Sequence, residues 1–300
     1  MLPVVTRRRY APAVPGGELT DKVFLITGGA QGIGLETARI AIDRGARVAL
    51  VDLDPERARE AAGGLGPAAI GLGADVVDPE AIAGAVAGAV AEFGRVDVVV
   101  ANAGITPPKT TTRALDEDTW RKVVEVNVLG VYRTVVAGLP EIVANRGQVA
   151  IIASSYSHVN GVLNSSYAVS KSAVEAFARG LSVELAAHGA GVTTAFFGYV
   201  DTGLIGKAFD EPMADQFRRE VAPSFMTRPI QVGQAAEALV DGIAARRATV
   251  IEPGRWRIPH YLRGLLMPLT DRRLERDLRA RSLIRQIEDR DLAAGGSAEA

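Results

Sequence analysis

Tyr167 and Lys171 lie four positions apart in the stretch Ser-Tyr-Ala-Val-Ser-Lys-Ser that starts at Ser166, which is predicted to begin a helix with a serine as its cap. Side chains four residues apart lie one above the other on a helix face. A phenol titrates near ~10, and a neighbouring ammonium favours its ionised form and lowers its pKa. Such a pair could move a proton near neutral pH. Taken alone, it is explained more readily as a surface tyrosine beside an extended lysine.

A glycine-rich turn at 28–34 follows the first predicted strand, at 23–27, and precedes the first predicted helix. Glycines at 28, 32 and 34 would permit a tight turn, close approach of a pyrophosphate and close packing of helix on strand. The N-terminus of the helix would offer free N–H groups to that anion. The position of this turn between a strand and a helix therefore predicts a dinucleotide site.

Asp52 ends the second predicted strand, at 47–51, at the distance from the glycine turn where an acidic side chain can bind the adenosine ribose hydroxyls. It could instead be a strand-end aspartate leading into the turn before Pro55. Its charge would repel a 2′-phosphate, and neither Leu53 nor Gln31 supplies the positive charge that such a phosphate needs. The sequence therefore favours NAD over NADP.

Short aliphatic strands alternate with helices from residue 22 onward, which predicts an α/β fold with a parallel sheet and right-handed crossovers. Small or polar residues follow the carboxyl ends of two of these strands: Asn102-Ala103-Gly104 after 96–100, and Ser154 after 148–153. Asn127 lies within a long apolar helix predicted at 118–145. An asparagine there needs partners if it is buried. It would either bind backbone and fix a kink or take part in a site.

The composition excludes several classes of protein. The net charge of −1 gives no overall basic excess for nucleic acid, and the absence of cysteine rules out disulfides and thiolate chemistry. The three histidines lack metal-ligand spacing, so no metal is predicted. No uninterrupted apolar run reaches the ~18 residues of a transmembrane helix, and the N-terminus has no apolar core of a secretion signal. We therefore expect a soluble, cytoplasmic protein.

Taken in order, these motifs resemble those of the short-chain dehydrogenase/reductase family. The resemblance extends from residue 22 to about 255, and each motif lies in its proper structural context. The matching residues are Thr27-Gly28-x-x-x-Gly32-x-Gly34, Asp75, Asn102-Ala103-Gly104, Asn127, Ser154 and Tyr167-x-x-x-Lys171.

The resemblance implies a Rossmann-like, doubly wound, seven-stranded parallel sheet in three α/β/α layers, with hydride transfer between NAD(P) and an alcohol or carbonyl. Tyr167 would be the general acid/base, Lys171 would lower its pKa and bind the nicotinamide ribose, Ser154 would hold the substrate oxygen, and Asn127 would hold a water in a proton relay. The cofactor contacts expected are Thr27, Gly28, Gln31, Gly32, Ile33, Gly34, Asp52, Leu53, Asp75, Val76, Asn102, Ala103, Gly104, Tyr167, Lys171, Val200 and Thr202.

One position departs from the family pattern. The family usually has Pro-Gly after the sixth strand, whereas this chain has Phe197-Gly198. Phenylalanine cannot fix φ as proline does, so the loop on the nicotinamide side could lie differently. The predicted contacts of Val200 and Thr202 depend on that loop.

We expect a flexible tail at 1–19, one catalytic domain at 20–254 with a lid at about 203–228, and a partly helical extension at 255–300. Apolar residues in the lid, with Tyr156, Val159 and Leu163 opposite, suggest an apolar ketone or secondary alcohol, although they could merely pack the lid on the body. The basic and apolar segment 255–269 could contact a sister subunit, cover the substrate mouth or, least favoured, lie on a membrane. Residues 271–291 predict an amphipathic, mostly solvated helix, and 293–300 are expected to be disordered.

The leading hypothesis is an NAD-dependent alcohol dehydrogenase/carbonyl reductase that forms a homodimer or homotetramer. Alternatives are the same fold acting on a C=C bond or a polyol, and a catalytically idle dinucleotide-binding sensor or scaffold. The presence of Ser154, Tyr167 and Lys171 argues against an idle protein, because a sensor has no need of a proton donor.

Overall fold

The computed structural model describes residues 19–202, 212–221 and 224–296. Residues 1–18 of the expected tail at 1–19, and residues 203–211 and 222–223 of the expected lid, lie outside the described residues. The strands are β1 Val23–Thr27, β2 Arg47–Asp52, β3 Ala69–Gly73, β4 Val98–Ala101, β5 Gln148–Ile152, β6 Gly191–Phe197, β7 Val200–Asp201, β8 Ile230–Gln231 and β9 Thr249–Glu252.

The helices within the predicted catalytic domain are α1 Gly32–Asp43, α2 Pro55–Leu65, α3 Pro79–Phe93, α4 Glu117–Val124, α5 Val131–Ala144, α6 Ser165–Ala186, α7 Pro212–Val221, α8 Ser224–Thr227 and α9 Val232–Ala244. A π-helical segment, Glu125–Gly130, joins α4 to α5. The C-terminal extension contributes α10 Arg257–Arg276 and α11 Leu278–Gly296.

Seven parallel strands form one sheet in the order β3-β2-β1-β4-β5-β6-β9, which confirms the predicted fold class. All five residues of β1 and of β5 are buried, as expected for parallel strands with helices on both faces. Helices α3, α5 and α6 cover one face, and α1 and α9 cover the other. The strand order reverses direction between β1 and β4. A crevice at the carboxyl ends of these strands is the usual ligand site of such a sheet.

The long helix predicted at 118–145 is present at Glu117–Ala144. Its middle part is a π-helical turn, which contains Asn127. By length and composition this segment could cross a membrane. It packs Val131, Val135 and Ile142 into the core beside the sheet, so we interpret it as a core helix of the fold.

The C-terminal extension differs from its sequence prediction. The helix expected at 271–291 is broken at Asp277, whose carboxylate accepts hydrogen bonds from the first N–H groups of α11. Helix α11 is amphipathic as predicted: most of its described side chains are exposed, and Ala280, Leu283 and Ile287 are buried in a cluster with Phe217 of α7. The described residues 293–296 are helical rather than disordered; the remaining four, 297–300, lie outside the description.

Helix α10 has no buried residue and presents an apolar stripe to solvent, formed by Ile258, Tyr261, Leu262, Leu265 and Leu269. Its opposite side is attached to the body of the protein. There Arg263 donates to Glu175 of α6 at 2.8 Å, and Nδ1 of His260 lies 2.8 Å from Nε2 of the buried His158. This network joins the extension to the loop that follows β5. The three roles considered for this segment stay untested.

Candidate active site

Ser154 and Tyr167 are brought together by two neighbouring strand-to-helix junctions. Ser154 follows β5, and Tyr167 lies in the first turn of α6. The Ser154 hydroxyl donates to the carbonyl of Phe197 at 3.4 Å and accepts from the Tyr156 N–H at 3.1 Å. Its hydroxyl also acts on Tyr167, since it lowers the pKa of that phenol. Ser154 and Tyr167 line the same cavity, so one substrate atom could contact both hydroxyls.

Helix α6 begins one residue earlier than the sequence suggested. Asn164 is its N-cap residue, without a side-chain cap, and Ser166 is buried inside the first turn instead of capping it. The expected stacking of Tyr167 and Lys171 is present, since Nζ of Lys171 lies 5.6 Å from the Tyr167 ring centroid. Lys171 is 4% exposed and donates to the carbonyl of Ile152 at 2.9 Å.

Burial controls the ionisation of this pair. Burial raises the pKa of Tyr167 to about 12, although the Ser154 hydroxyl acts in the opposite direction and lowers this pKa. Burial also lowers the pKa of Lys171 to about 8. Burial thus moves the pKa of Tyr167 in the direction opposite to the predicted lowering by Lys171, and that lowering stays a prediction.

Asn127 is fully buried and both ends of its amide are bonded. Its Oδ1 accepts from the Ile105 N–H at 2.8 Å, and its Nδ2 donates to the Ile105 carbonyl at 2.9 Å and to Ser170 Oγ at 3.1 Å. These contacts support the backbone-binding role considered for Asn127, at a π-helical turn of the kind found at functional sites. The relay role stays a prediction.

A cavity of about 250 Å³ lies at the carboxyl ends of β1, β4, β5 and β6. It brings together most of the residues expected to contact the cofactor, along with the catalytic candidates Ser154, Tyr167 and Lys171. Four further lining residues were missed by the sequence analysis: Ile152, Ala153, Phe197 and Gly198. The expected residues that line it are Gly28, Gln31, Gly32, Ile33, Asn102, Ala103, Gly104, Tyr167, Lys171, Val200 and Thr202.

Thr27 and Gly34 do not line this cavity but shape it. Thr27 Oγ1 accepts from the N–H groups of Asn102 and Ala103 at 3.3 and 3.4 Å, so β1 and β4 are joined behind the site. A Cβ at Gly34 would lie 2.4 Å from the Gly28 carbonyl oxygen. Gly34 therefore permits close packing of helix on strand, as its position in the motif predicts.

The residues expected around the adenosine lie at the ends of β2 and β3, outside this cavity. Asp52 Oδ2 accepts from the Ala30 N–H at 3.0 Å, which attaches the glycine turn to β2. Leu53 beside it is exposed, Val76 is buried, and Asp75 accepts from the Val77 N–H at 3.0 Å. Whether these residues contact a cofactor stays a prediction.

The loop after β6 reaches the glycine turn despite the absence of the family's proline. Phe197 is buried and paired with Glu252 in the sheet, so β6 continues to this position. Val200 and Thr202 both line the cavity, and the Thr202 methyl would lie 3.7 Å from a Cβ at Gly32. The loop therefore brings both residues to the predicted place.

The lid residues behave differently from the expectation that they line a substrate cleft. Leu163 and Phe217 are buried together with Ile287 of α11, so they pack the described part of the lid against the extension. Val159 packs on the core beneath the sheet. Of the three residues expected opposite the lid, Tyr156 contacts Tyr167, edge-to-face with ring centroids 5.5 Å apart.

Two further groups near the site were not found from the sequence. Lys109 lies over the rings of Tyr156 and Tyr167, and Arg57 of α2 donates to Gln31 of the glycine turn at 2.8 Å. Neither residue belongs to a motif, so no local signal marked them. Among the described residues no group of three metal-ligating side chains occurs.

The cavity fits a dinucleotide. Gly28 has φ +62°, and a Cβ there would lie 2.9 Å from Ala103 Cα, so the turn leaves backbone where a side chain would otherwise intrude. Gln31 precedes α1 without capping it through its side chain, which leaves the first N–H groups of a 12-residue helix facing this turn. Such groups bind phosphate. Lys171 lines the same cavity, and its contact with a ribose stays a prediction.

Residues 22–212 match the sequence pattern of the short chain dehydrogenase family. The chain belongs to this family. It is 33% identical to cis-4-hydroxycyclohexanecarboxylate dehydrogenase of Sinomonas cyclohexanicum, over 77% of this chain and 93% of that protein. It is 32% identical to cyclopentanol dehydrogenase of Comamonas testosteroni, over 76% and 93% of the two chains.

The fold comparison agrees. The crystal structure of a short-chain type dehydrogenase/reductase from Mycobacterium marinum superposes with a TM-score of 0.69 at 25% identity, covering 78% of this chain and 95% of the other. The family binds a dinucleotide and acts on small molecules, and these relatives are oxidoreductases. The chain is therefore an oxidoreductase of the short-chain dehydrogenase family.

Proposed function

We propose that the protein interconverts a secondary alcohol and a ketone by hydride transfer to and from NAD(H). The observation that carries the proposal is that the hydroxyls of Ser154 and Tyr167 meet at one cavity, with Lys171 beside the Tyr167 ring. All three line the cavity that also contains the glycine turn. An alcohol oxygen bound by both hydroxyls would have its carbon directed at the cofactor cavity.

The chain's own residues handle the proton and the oxygen. In oxidation, Tyr167 accepts the hydroxyl proton of the substrate as the carbon–oxygen double bond forms, and in reduction it returns that proton. Ser154 donates a hydrogen bond to the same oxygen, whose charge grows in the transition state. Lys171 supplies a buried positive charge that favours the phenolate. NAD⁺, when bound, supplies the hydride acceptor, and NADH the donor.

Asp52 supports the choice of NAD over NADP. Its Oδ2 is used by the Ala30 N–H, which fixes the carboxylate beside the glycine turn. A negative charge held there disfavours a 2′-phosphate. Arg57 is the nearest positive charge found at this turn, and its guanidinium is engaged with Gln31. We therefore propose Asp52 as the group that excludes NADP.

The substrate class is proposed from the wall around Tyr167 and from the named relatives. The ring of Tyr156 contacts that of Tyr167, and the ring of Tyr199 contacts Tyr156 with their hydroxyls 3.3 Å apart, so this wall is an aromatic surface with a polar edge. Two relatives act, by their names, on alcohols carried by a five- or six-membered ring. We propose a cyclic secondary alcohol as the substrate.

An exposed apolar face supports the expected homo-oligomer. Leu129, Tyr132 and Val136 lie on one side of the long helix, and Val169 and Val183 are exposed on α6. These two helices pack on the same face of the sheet. A continuous apolar surface of this kind marks an interface. Light scattering should give a mass above that of one chain, and Tyr132→Arg should lower it.

The test is an absorbance assay of the reduced cofactor, in which NAD⁺ or NADP⁺ is mixed with cyclic and linear secondary alcohols and polyols. Compounds with a conjugated C=C bond are assayed with NADH or NADPH, whose consumption is measured. We expect turnover of cyclic secondary alcohols with NAD⁺. Cofactor binding without any turnover would instead indicate a dinucleotide-binding sensor. Turnover of only C=C compounds or only polyols would refute the proposed interconversion of a secondary alcohol and a ketone. The assignment of the fold would be unaffected.

A further inference from the structure

Lys109 is a positive charge next to the catalytic tyrosine for which the proposed reaction has no use. It lies in the loop between β4 and α4. Its Nζ is 5.8 Å from the ring centroid of Tyr156 and 5.9 Å from that of Tyr167. Both distances are within the range of cation–π attraction. Lys109 therefore stands beside the two rings that flank the proposed position of the substrate oxygen.

The ammonium of Lys109 is not neutralised by any described residue. Its hydrogen-bond acceptor is Thr106 Oγ1 at 3.0 Å, whereas an ammonium carries three donors. No described carboxylate lies within ion-pairing distance, although ion pairs are formed by other cations of the chain, such as Arg263 with Glu175. A desolvated charge without a counter-charge is costly, and burial lowers the pKa of Lys109 to about 7.

The loop that carries Lys109 is held in place from two sides. The Thr110 N–H donates to the Leu163 carbonyl at 3.2 Å. Thr111 Oγ1 and Arg113 donate to the two carboxylate oxygens of Glu288, in α11, at 2.8 and 3.0 Å. The desolvated ammonium is thus a fixed feature of the site, and the C-terminal extension helps to position it.

The position of Lys109 is on the substrate side of Tyr167. The cavity that contains the glycine turn is lined by Tyr167 and Lys171, and neither Lys109 nor Tyr156 lines it. A molecule whose oxygen is held by Ser154 and Tyr167 can extend past Tyr156 toward Lys109.

We propose that Lys109 binds a carboxylate of the substrate, so that the preferred substrate is a cyclic hydroxy acid or oxo acid. This inference rests on the proposed function for the ring and for the identity of the reacting group. A carboxylate supplies acceptors for the two remaining donors of Lys109, and it supplies the counter-charge that no described residue provides. The carboxylate takes no part in hydride transfer and only positions the ring.

The first test is a binding measurement that needs no turnover. Cyclohexanecarboxylate and its neutral amide are titrated calorimetrically into the full-length protein, with and without NAD⁺. Wild type should bind the acid about 10- to 100-fold more tightly than the amide, as expected for one charge-assisted hydrogen-bonded pair. Lys109→Met should abolish this preference, and Lys109→Arg should retain it.

The matched control is Lys122→Met, which removes an exposed lysine of α4 and should keep the preference for the acid. Equal binding of acid and amide by wild type would overturn the inference, as would an undiminished preference in Lys109→Met. Titration of the methyl ester of the same acid serves as a second neutral ligand of similar size.

The second test separates substrate binding from an effect on Tyr167. The kcat/KM values of 4-hydroxycyclohexanecarboxylate and its methyl ester are compared in the same variants. Lys109→Met should lower the acid-to-ester ratio about 10- to 100-fold, mainly through the KM of the acid. An equal loss for both substrates would overturn the inference and make Lys109 an electrostatic partner of Tyr167.

The two proposals fail separately. If wild type binds the acid through Lys109 but oxidises no alcohol, the anion site stands and the proposed reaction fails. If cyclic alcohols are oxidised without any preference for the acid, the proposed reaction stands and the anion site is refuted.

Discussion

Gly34→Ala tests whether the site depends on close contact between α1 and the glycine turn. The added Cβ would lie 2.4 Å from the Gly28 carbonyl oxygen and 2.8 Å from Asn102 Nδ2. The first atom is backbone and cannot rotate away, so helix and turn must separate. Overpacking of this kind costs about 1–3 kcal/mol. The same movement would shift the N–H groups proposed to bind pyrophosphate.

We therefore expect Gly34→Ala to lower the free energy of unfolding in urea by about 1–3 kcal/mol and to weaken NADH binding, measured by fluorescence, at least about tenfold. The matched control is Gly84→Ala in α3, where an added Cβ would meet nothing within 4 Å. It should stabilise the protein by about 0.5–1 kcal/mol, because alanine favours the helix, and leave NADH binding unchanged.

The reasoning would be refuted if Gly34→Ala matched wild type in both measurements, since the structure leaves no space for its methyl group. A loss of stability without a loss of NADH affinity would refute the narrower claim that the turn positions the pyrophosphate.

Three further predictions concern the proton, the ribose and the extension. Tyr167→Phe should lower kcat about 100- to 10,000-fold and reduce NADH affinity far less; retained turnover would exclude Tyr167 as the acid/base. Asp52→Asn should raise the NADP-to-NAD ratio of kcat/KM at least about tenfold, equivalent to about 1.4 kcal/mol; an unchanged ratio would exclude Asp52 as the selecting group. Burial and the nearby His260 and Arg263 lower the pKa of His158 to about 4, so its stabilising contribution, complete above about pH 6.5, should fall by up to about 1.4 kcal/mol per pH unit between pH 6.5 and 4. Urea titrations between pH 6.5 and 4 should show a smaller loss of unfolding free energy for His158→Gln than for wild type. The same loss in both proteins would refute this origin of the pH dependence.

The sheet and the cavity could be predicted because local patterns determine both. Alternation of buried strands with amphipathic helices leaves one parallel topology, and the carboxyl ends of its strands must lie at one edge. Motif residues placed at those ends, such as Gly28, Asn102 and Ser154, are then brought to one cavity whatever their separation along the chain. The loop after β6 likewise reaches the cavity without the proline that the family usually has. The sheet pairs Phe197 with Glu252, and the loop still reaches the glycine turn.

The ionisation of Tyr167 could not be predicted from its spacing to Lys171. The spacing gives the attraction between the two groups, but desolvation depends on how many atoms surround the phenol. That number is set by β5, β6 and the loop after β5, not by α6 alone. The amphipathic pattern of the sequence likewise predicted a helix with an apolar face at α11, but it could not identify the residues that cover this face. Phe217 and Leu163 bury that face from two distant parts of the chain.

Lys109 shows most clearly where sequence reasoning stops. It follows two prolines in a loop without periodicity, and a lysine in such a loop is ordinarily solvated. Its ammonium becomes desolvated only because the ends of β4, β5 and α6 converge and because Glu288 holds the loop from the C-terminal extension. The extension lies beyond the residues that match the family, 22–212. A segment outside the common fold thus positions a charge beside Tyr167, and in our proposal this is how a common reaction acquires a distinct substrate.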